Sequence, residues 1–134
     1  MKVTWKYTIP LVDDSTIELA ELKYRFRLPE DLKECIAKNN AGTPSPSTFD
    51  LGNKKHMVFG GLLSFNEKDT DNVYEYLPLF VSENGANAKM FPFALDPAGN
   101  FFCVMNNAIV LYDHETDSTV EVCKSFTELL EKLY

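Results

Sequence analysis

The side chains able to do chemistry in this sequence fall into a few small groups, and spacing decides what each can do. His56 and His114 are the only histidines. Neither stands at a metal-ligand or triad spacing, so each is read as a solvated residue near a strand end. Asp113-His114-Glu115-Thr116-Asp117 sets hard oxygens at alternate positions, as calcium loops do, but lacks the glycine and the distal bidentate glutamate of such a loop. It reads instead as a charged hairpin tip. Glu30 with Asp31, and Asp69 with Asp71, would serve as acid–base pairs only if burial or repulsion separated their pKa values. Both pairs lie at predicted helix starts, where the macrodipole accounts for them. Ser45, Ser47 and Ser64 have no glycine-flanked elbow, and no base adjoins Cys35, Cys103 or Cys123. Gly60-Gly61 is not followed by the Lys-Ser/Thr of a phosphate loop. No catalytic residue, metal site or cofactor is expected.

Tyr74 and Tyr76 flank Glu75, just after Asp69 and Asp71, so one short segment offers aromatic rings beside carboxylates. That mixture suits a protein-binding patch against a basic partner, which Asp113, Glu115 and Asp117 at the hairpin tip would extend. The partner-binding candidates are therefore Asp69, Asp71, Glu75, Tyr76, Asp113, Glu115 and Asp117. The competing reading is a solvated acidic face with Tyr76 turned into the core.

Charge supports a protein partner. The 134 residues carry a net charge of −7, which disfavours direct binding to nucleic acid and favours a basic or neutral partner. From Asn66 to Asn87 five acids face Lys68 alone, and from Asp113 to Tyr134 six acids face Lys124 and Lys132. These two segments together hold −8, leaving +1 elsewhere. No apolar run is long enough to cross a bilayer, and the first residues do not read as a secretion signal. Three cysteines without C-x-x-C spacing fit reduced core thiols. A cytoplasmic protein forming one domain over residues 1–134 is expected, of unspecified oligomeric state.

The elements that must position these groups follow from periodicity. Val3, Trp5, Tyr7 and Ile9 alternate with polar residues, predicting a short edge strand stopped by Pro10. Ser15-Thr16-Ile17-Glu18 has the capping-box pattern and predicts a helix over 16–26, with Ile17, Leu19, Ala20, Leu22, Tyr24 and Phe26 on its apolar face. Leu28-Pro29-Glu30-Asp31 starts a second helix with proline at its first position; Leu32, Cys35 and Ile36 form its stripe, and Asn39-Asn40-Ala41-Gly42 ends it. Residues 43–48 read as a proline-rich surface loop. Phe49–Leu51 and Met57–Phe65 read as strands, with Gly60-Gly61 marking a bulge or a close backbone approach. Asp71 or Asn72 caps a third helix that Pro78 must kink or split, and Asn84-Gly85 breaks the chain after it.

Phe91 to Met105 is the organising stretch: two apolar runs flank Asp96-Pro97-Ala98-Gly99-Asn100 and predict a hairpin. Phe101, Cys103 and Met105 should lie on one face, Phe102 and Val104 on the other. Ala108–Tyr112 and Ser118–Cys123 complete a four-strand antiparallel meander, and Ser125-Phe126-Thr127-Glu128 opens a C-terminal amphipathic helix. The fold class predicted is α+β, an antiparallel sheet of this meander plus earlier strands, covered by helices.

Taken in order, several of these pieces resemble the SUKH superfamily, which includes the Smi/Knr-type cell-wall regulators and bacterial toxin-immunity proteins. They are Leu28-Pro29-Glu30-Asp31-Leu32, Asn39-Asn40-Ala41-Gly42, Leu62-Leu63-Ser64-Phe65, Phe91 to Asp96, Gly99 to Cys103, and Ser125-Phe126 with Leu129-Leu130. Two departures stand out: Asn40-Ala41-Gly42 replaces the usual Asn-Gly-Gly, and Pro97-Ala98 precedes Gly99. The resemblance implies a non-catalytic binding module, often an immunity protein that occludes a secreted toxin, commonly a nuclease. A regulatory or scaffold adaptor is the alternative it implies. A small-ligand binder using a pocket beside Gly60-Gly61 is a third reading.

Overall fold

The computed structural model describes residues 3–81 and 89–134; Asn84-Gly85 and Glu83 lie outside them. The elements in order are β1 (Thr4–Lys6), α1 (Thr16–Tyr24), α2 (Glu30–Asn39), β2 (Thr43–Ser45), β3 (Thr48–Leu51), β4 (Lys54–Val58), β5 (Gly61–Leu62), α3 (Val73–Tyr76), a 3₁₀ turn (Leu77–Phe80), β6 (Phe91–Leu95), β7 (Phe101–Met105), β8 (Ala108–Asp113), β9 (Ser118–Cys123) and α4 (Phe126–Lys132). The expected meander is present as β6-β7-β8-β9, and β5 adds a fifth antiparallel strand beyond β6. The other early strands form two separate ribbons, β1-β2 and β3-β4. The architecture is α+β with an antiparallel sheet.

The hairpin of β6 and β7 lies inside this sheet, and its turn is made by side-chain chemistry. Asp96 Oδ1 accepts from Ala98 N at 2.9 Å and Asn100 N at 2.8 Å, while Gly99 takes φ +86°. The two faces of β7 separate as the alternation predicts. Phe102 and Val104 join the main core with Ala20 of α1, Leu32 and Ile36 of α2, and Phe126 and Leu129 of α4. Phe101 and Cys103 face the other way and pack with Phe80 and Val110, bordered by Tyr76, Met105 and Tyr112.

Several local expectations are corrected. Ser15 does not cap α1 through its side chain; Asp13 Oδ1 instead accepts from Ser15 N at 2.8 Å and Ser15 Oγ at 2.6 Å. The helix stops at Tyr24 because Arg25 turns left-handed at φ 51°, and Leu19 and Leu22 stay 55% and 68% exposed. Ile17, Ala20 and Tyr24, at helical spacing, are the apolar residues it buries. Pro29 is extended at ψ 146°, so it precedes α2 as its cap residue. Tyr7, at φ 61°, ends β1 and is 81% exposed. Residues 43–45 of the expected loop pair with β1.

The expected strand over 57–65 divides at Phe59-Gly60 into β4 and β5. At Gly60 a Cβ would meet Leu95 O at 2.7 Å, so the close backbone approach read from Gly60-Gly61 is real. Asn72 caps α3 by accepting from Glu75 N at 3.1 Å. Pro78 then falls inside the 3₁₀ turn, so the third helix is split. Ser125 caps α4, accepting from Glu128 N at 3.0 Å, as the capping-box pattern predicts.

Candidate protein-interaction surface

Asn72, Glu75 and the 3₁₀ turn together fix where the first acidic segment sits. The Asn72 cap also donates from Nδ2 to Glu75 Oε1 at 3.1 Å, which anchors Glu75 over the helix start. Tyr76 lies half-buried against Phe101, ring centroids 4.9 Å apart, and its hydroxyl donates to Asp71 Oδ1 at 2.9 Å. Burial first, and then this bond to a carboxylate, pushes the Tyr76 phenol up to about 12. Tyr76 thus packs its ring on the core while its hydroxyl stays at the surface.

The second acidic segment is built the same way. Tyr112 of β8 donates to Asp117 Oδ1 at 2.6 Å, and that bond chiefly raises its phenol above the ordinary value. Phe101 and Tyr112 are cross-strand partners, and Phe80 packs edge-on against both, at 5.5 and 5.2 Å. Tyr76 and Tyr112 therefore stand on one face of the sheet, each holding an aspartate at its rim. The tyrosines that bond Asp71 and Asp117 thus border one aromatic cluster. Asp113 Oδ1 accepts from Glu115 N at 2.9 Å, which shapes the hairpin tip, and Glu115 itself is exposed.

Asp69 is placed differently. Its Oδ2 accepts from Ser64 Oγ at 2.7 Å and from Asn66 Nδ2 at 2.9 Å. It belongs to a polar network that reasoning from the sequence missed. At its centre Asn40, 2% exposed, donates to Ser64 Oγ at 3.0 Å and Ile9 O at 3.1 Å, and accepts from Phe65 N at 2.9 Å. Asn66 Nδ2 also donates to Pro10 O at 2.9 Å, and Asn66 Oδ1 accepts from Val12 N at 2.9 Å. The network ties the end of α2 and the N-terminal segment to the turn before α3.

Asp31 is a second carboxylate turned to structure. It accepts from Leu32 N in α2 and from both the amide and hydroxyl of Thr127 in α4, at 2.9, 2.8 and 2.8 Å. His56, expected to be merely solvated, has Nδ1 3.1 Å from the Tyr134 hydroxyl, which donates to Asp50 Oδ1 at 2.6 Å. His114 Nδ1 lies 2.9 Å from Asn100 Oδ1. Among the described residues no three His, Cys, Asp or Glu side chains gather so as to hold a metal ion. Burial raises the thiols Cys35 and Cys123 to about 11 and Cys103 further still. A cleft of about 300 Å³ does lie beside Gly60-Gly61, bounded by Tyr7, Leu62, Asp71 and Leu95.

The model of the SMI1 / KNR4 family (SUKH-1) matches residues 11–132. The chain belongs to this family. No curated protein shows significant similarity to it. Members of the SUKH-1 family are generally non-catalytic immunity or regulatory proteins that bind protein partners. Among the described residues, no helix of this SUKH-1 protein is long and apolar enough to cross a membrane.

Proposed function

We propose that this SUKH-1 protein is a cytoplasmic immunity protein. It neutralises a cognate toxin by covering a basic, nucleic-acid-handling surface, and it contributes no catalytic group of its own. One observation carries this reading: Tyr76 and Tyr112 hold Asp71 and Asp117 on the same side of the sheet, in a chain of net charge −7. Carboxylates fixed by tyrosine hydroxyls need little reordering on binding, so their charge is available for lysine and arginine side chains. Glu75, Asp113 and Glu115 extend the acidic rim. Asp69 supports it from within.

The test is co-expression with the toxin domain encoded beside this chain. A complex, rescue of growth, and association that slows as salt rises are expected. Charge reversal at Asp71 and Glu75 should weaken the complex, and unchanged affinity removes that rim from the interface. Absence of complex and of rescue across neighbouring toxins overturns the immunity reading. Capture of a non-toxin partner instead would favour the regulatory adaptor, the other role found in the family.

A further inference from the structure

The two edges of the five-stranded sheet differ. At one, β5 is two residues long and lies against the β1-β2 ribbon: Leu62 N donates to Gly42 O at 2.9 Å, and a Cβ on Gly61 would already touch Gly42 O at 3.4 Å. At the other, β9 runs six residues and, among the described residues, pairs with β8 alone. Its first four residues, Ser118-Thr119-Val120-Glu121, are exposed. Natural proteins block such edges with lysine, proline or a bulge. These four residues include neither lysine nor proline, their one charge is Glu121 at the end of the run, and the register shift comes after it.

A cleft of about 480 Å³ opens beside this edge, between the β3-β4 hairpin and strands β8 and β9. Leu51, Met57, Leu111 and Val120 give it its apolar part, and Lys54 and Asp113 stand on its lining with opposite charges. Val120 is 47% exposed although its cross-strand partner Leu111 is 7% exposed. A strand added along β9 projects alternate side chains to this face, so one apolar side chain of the newcomer would cover Val120.

Charge selects the newcomer. Asp113, Glu115 and Asp117 stand where β9 begins, and Glu121 lies within it, already paired with Lys124 at 2.9 Å. A second copy would bring its own net charge of −7 to these acids, whereas a basic segment is attracted. We infer that the outer edge of β9, unpaired among the described residues, and its cleft bind an extended segment of a partner protein that carries an apolar side chain next to a lysine or arginine. This rests on the binding-module reading above and adds a contact on the Leu111 face of the sheet, opposite the tyrosines that hold the acidic rim.

The full chain is tested as bait for a displayed library of random short peptides, followed by amide chemical-shift mapping with the enriched peptides. Enriched sequences should pair an apolar residue with lysine or arginine, and shifts should concentrate at Ser118 to Glu121 and Met57. Val120→Lys, a change at an exposed position, should leave the melting temperature in place and weaken peptide binding about tenfold or more, as expected for one lost apolar contact beside a repelled cation. No enrichment, shifts elsewhere, equal affinity of V120K, or a concentration-dependent dimer abolished by V120K would each overturn the inference. A toxin complex that survives V120K overturns this docking mode and leaves the immunity role standing. Peptide binding without any toxin complex does the reverse.

Discussion

Asn39 and Asn40 are identical neighbours in sequence, and the structure predicts opposite outcomes for their removal. Asn40→Ala strips the only acceptor that the described residues offer to the Phe65 amide, which lies in a fully buried residue and donates to Asn40 Oδ1 at 2.9 Å. An orphaned buried donor costs about 1–3 kcal/mol, and each lost hydrogen bond with other recourse about 1. Ser64 Oγ keeps its contacts with Asp69 and the Asn66 amide, and Ile9 O lies in a segment that water can reach. The expected loss is therefore about 3 kcal/mol. In urea, with a slope of about 1–3 kcal/mol/M, the unfolding midpoint should fall by about 1–3 M with the slope unchanged. Among the described residues Asn39 Nδ2 donates only to Cys35, to its carbonyl at 3.2 Å and more weakly to its sulfur. Alanine's better helix propensity offsets that loss, so Asn39→Ala should stay within about 0.5 kcal/mol. A loss below about 1 kcal/mol in Asn40→Ala, or equal losses in the two variants, would refute the account of the network.

The Tyr76 phenol, ordinarily near 10 and here about 12, is held protonated in the fold. Its contribution to stability is complete below the unfolded value and lost as pH rises through the folded one. Tyrosinate absorbance should show a late component centred near pH 12 that Tyr76→Phe diminishes, the raised Tyr112 phenol contributing separately; an unchanged titration would separate Tyr76 from that shift. At Gly60 an added Cβ would lie 2.7 Å from Leu95 O, against 3.4 Å to the nearest atom at Gly61. Gly60→Ala should therefore destabilise by about 1–3 kcal/mol and Gly61→Ala by clearly less, as thermal melts of the pair would show. Cys103 is fully buried and Cys35 only partly so. Mass spectrometry after thiol alkylation should find Cys35 modified first and slowly, with Cys103 protected until the protein unfolds; early labelling of Cys103 would contradict the packing of β7.

What could be read from sequence depended on the range over which the determining interactions act. The β6-β7 hairpin, the Asn72 and Ser125 caps and the division at Pro78 are set within a few residues, and local rules located them. The Ser15 pattern failed because Asp13 Oδ1 takes the Ser15 amide and hydroxyl and Ser15 itself has helical backbone angles, φ −92° and ψ 0°, in place of the extended ones of a cap. Residues 43–45 looked like a loop because both prolines suggested irregular backbone. In β2, Pro44 sits opposite Trp5 on a short two-stranded ribbon, where one missing donor is tolerated. Leu19 and Leu22 are apolar without being buried, since α1 turns Ile17, Ala20 and Tyr24 to the core and leaves these two off that stripe.

For the acidic candidates, proximity in sequence did not predict common duty. Asp69 and Asp71 are two positions apart, yet Asp69 accepts hydrogen bonds from Ser64 and Asn66 within the fold while Asp71 takes the Tyr76 hydroxyl at its surface. The distinction depends on residues far away in the chain: Asn40 positions Ser64, and Phe101 positions Tyr76. It also decides which substitutions are informative. Reversing charge at Asp69 places a cation where two donors already converge, so lost binding there would report damage to the network as much as loss of a contact. Reversing Asp71 releases one tyrosine hydroxyl to solvent and leaves the network whole. A charge-reversal series should therefore separate the positions: Asp69 should lower the melting temperature, whereas Asp71 and Glu75 should alter partner affinity and its salt dependence with little effect on melting. If all three lower the melting temperature equally, the acidic rim is part of the scaffold, and the partner must be met elsewhere.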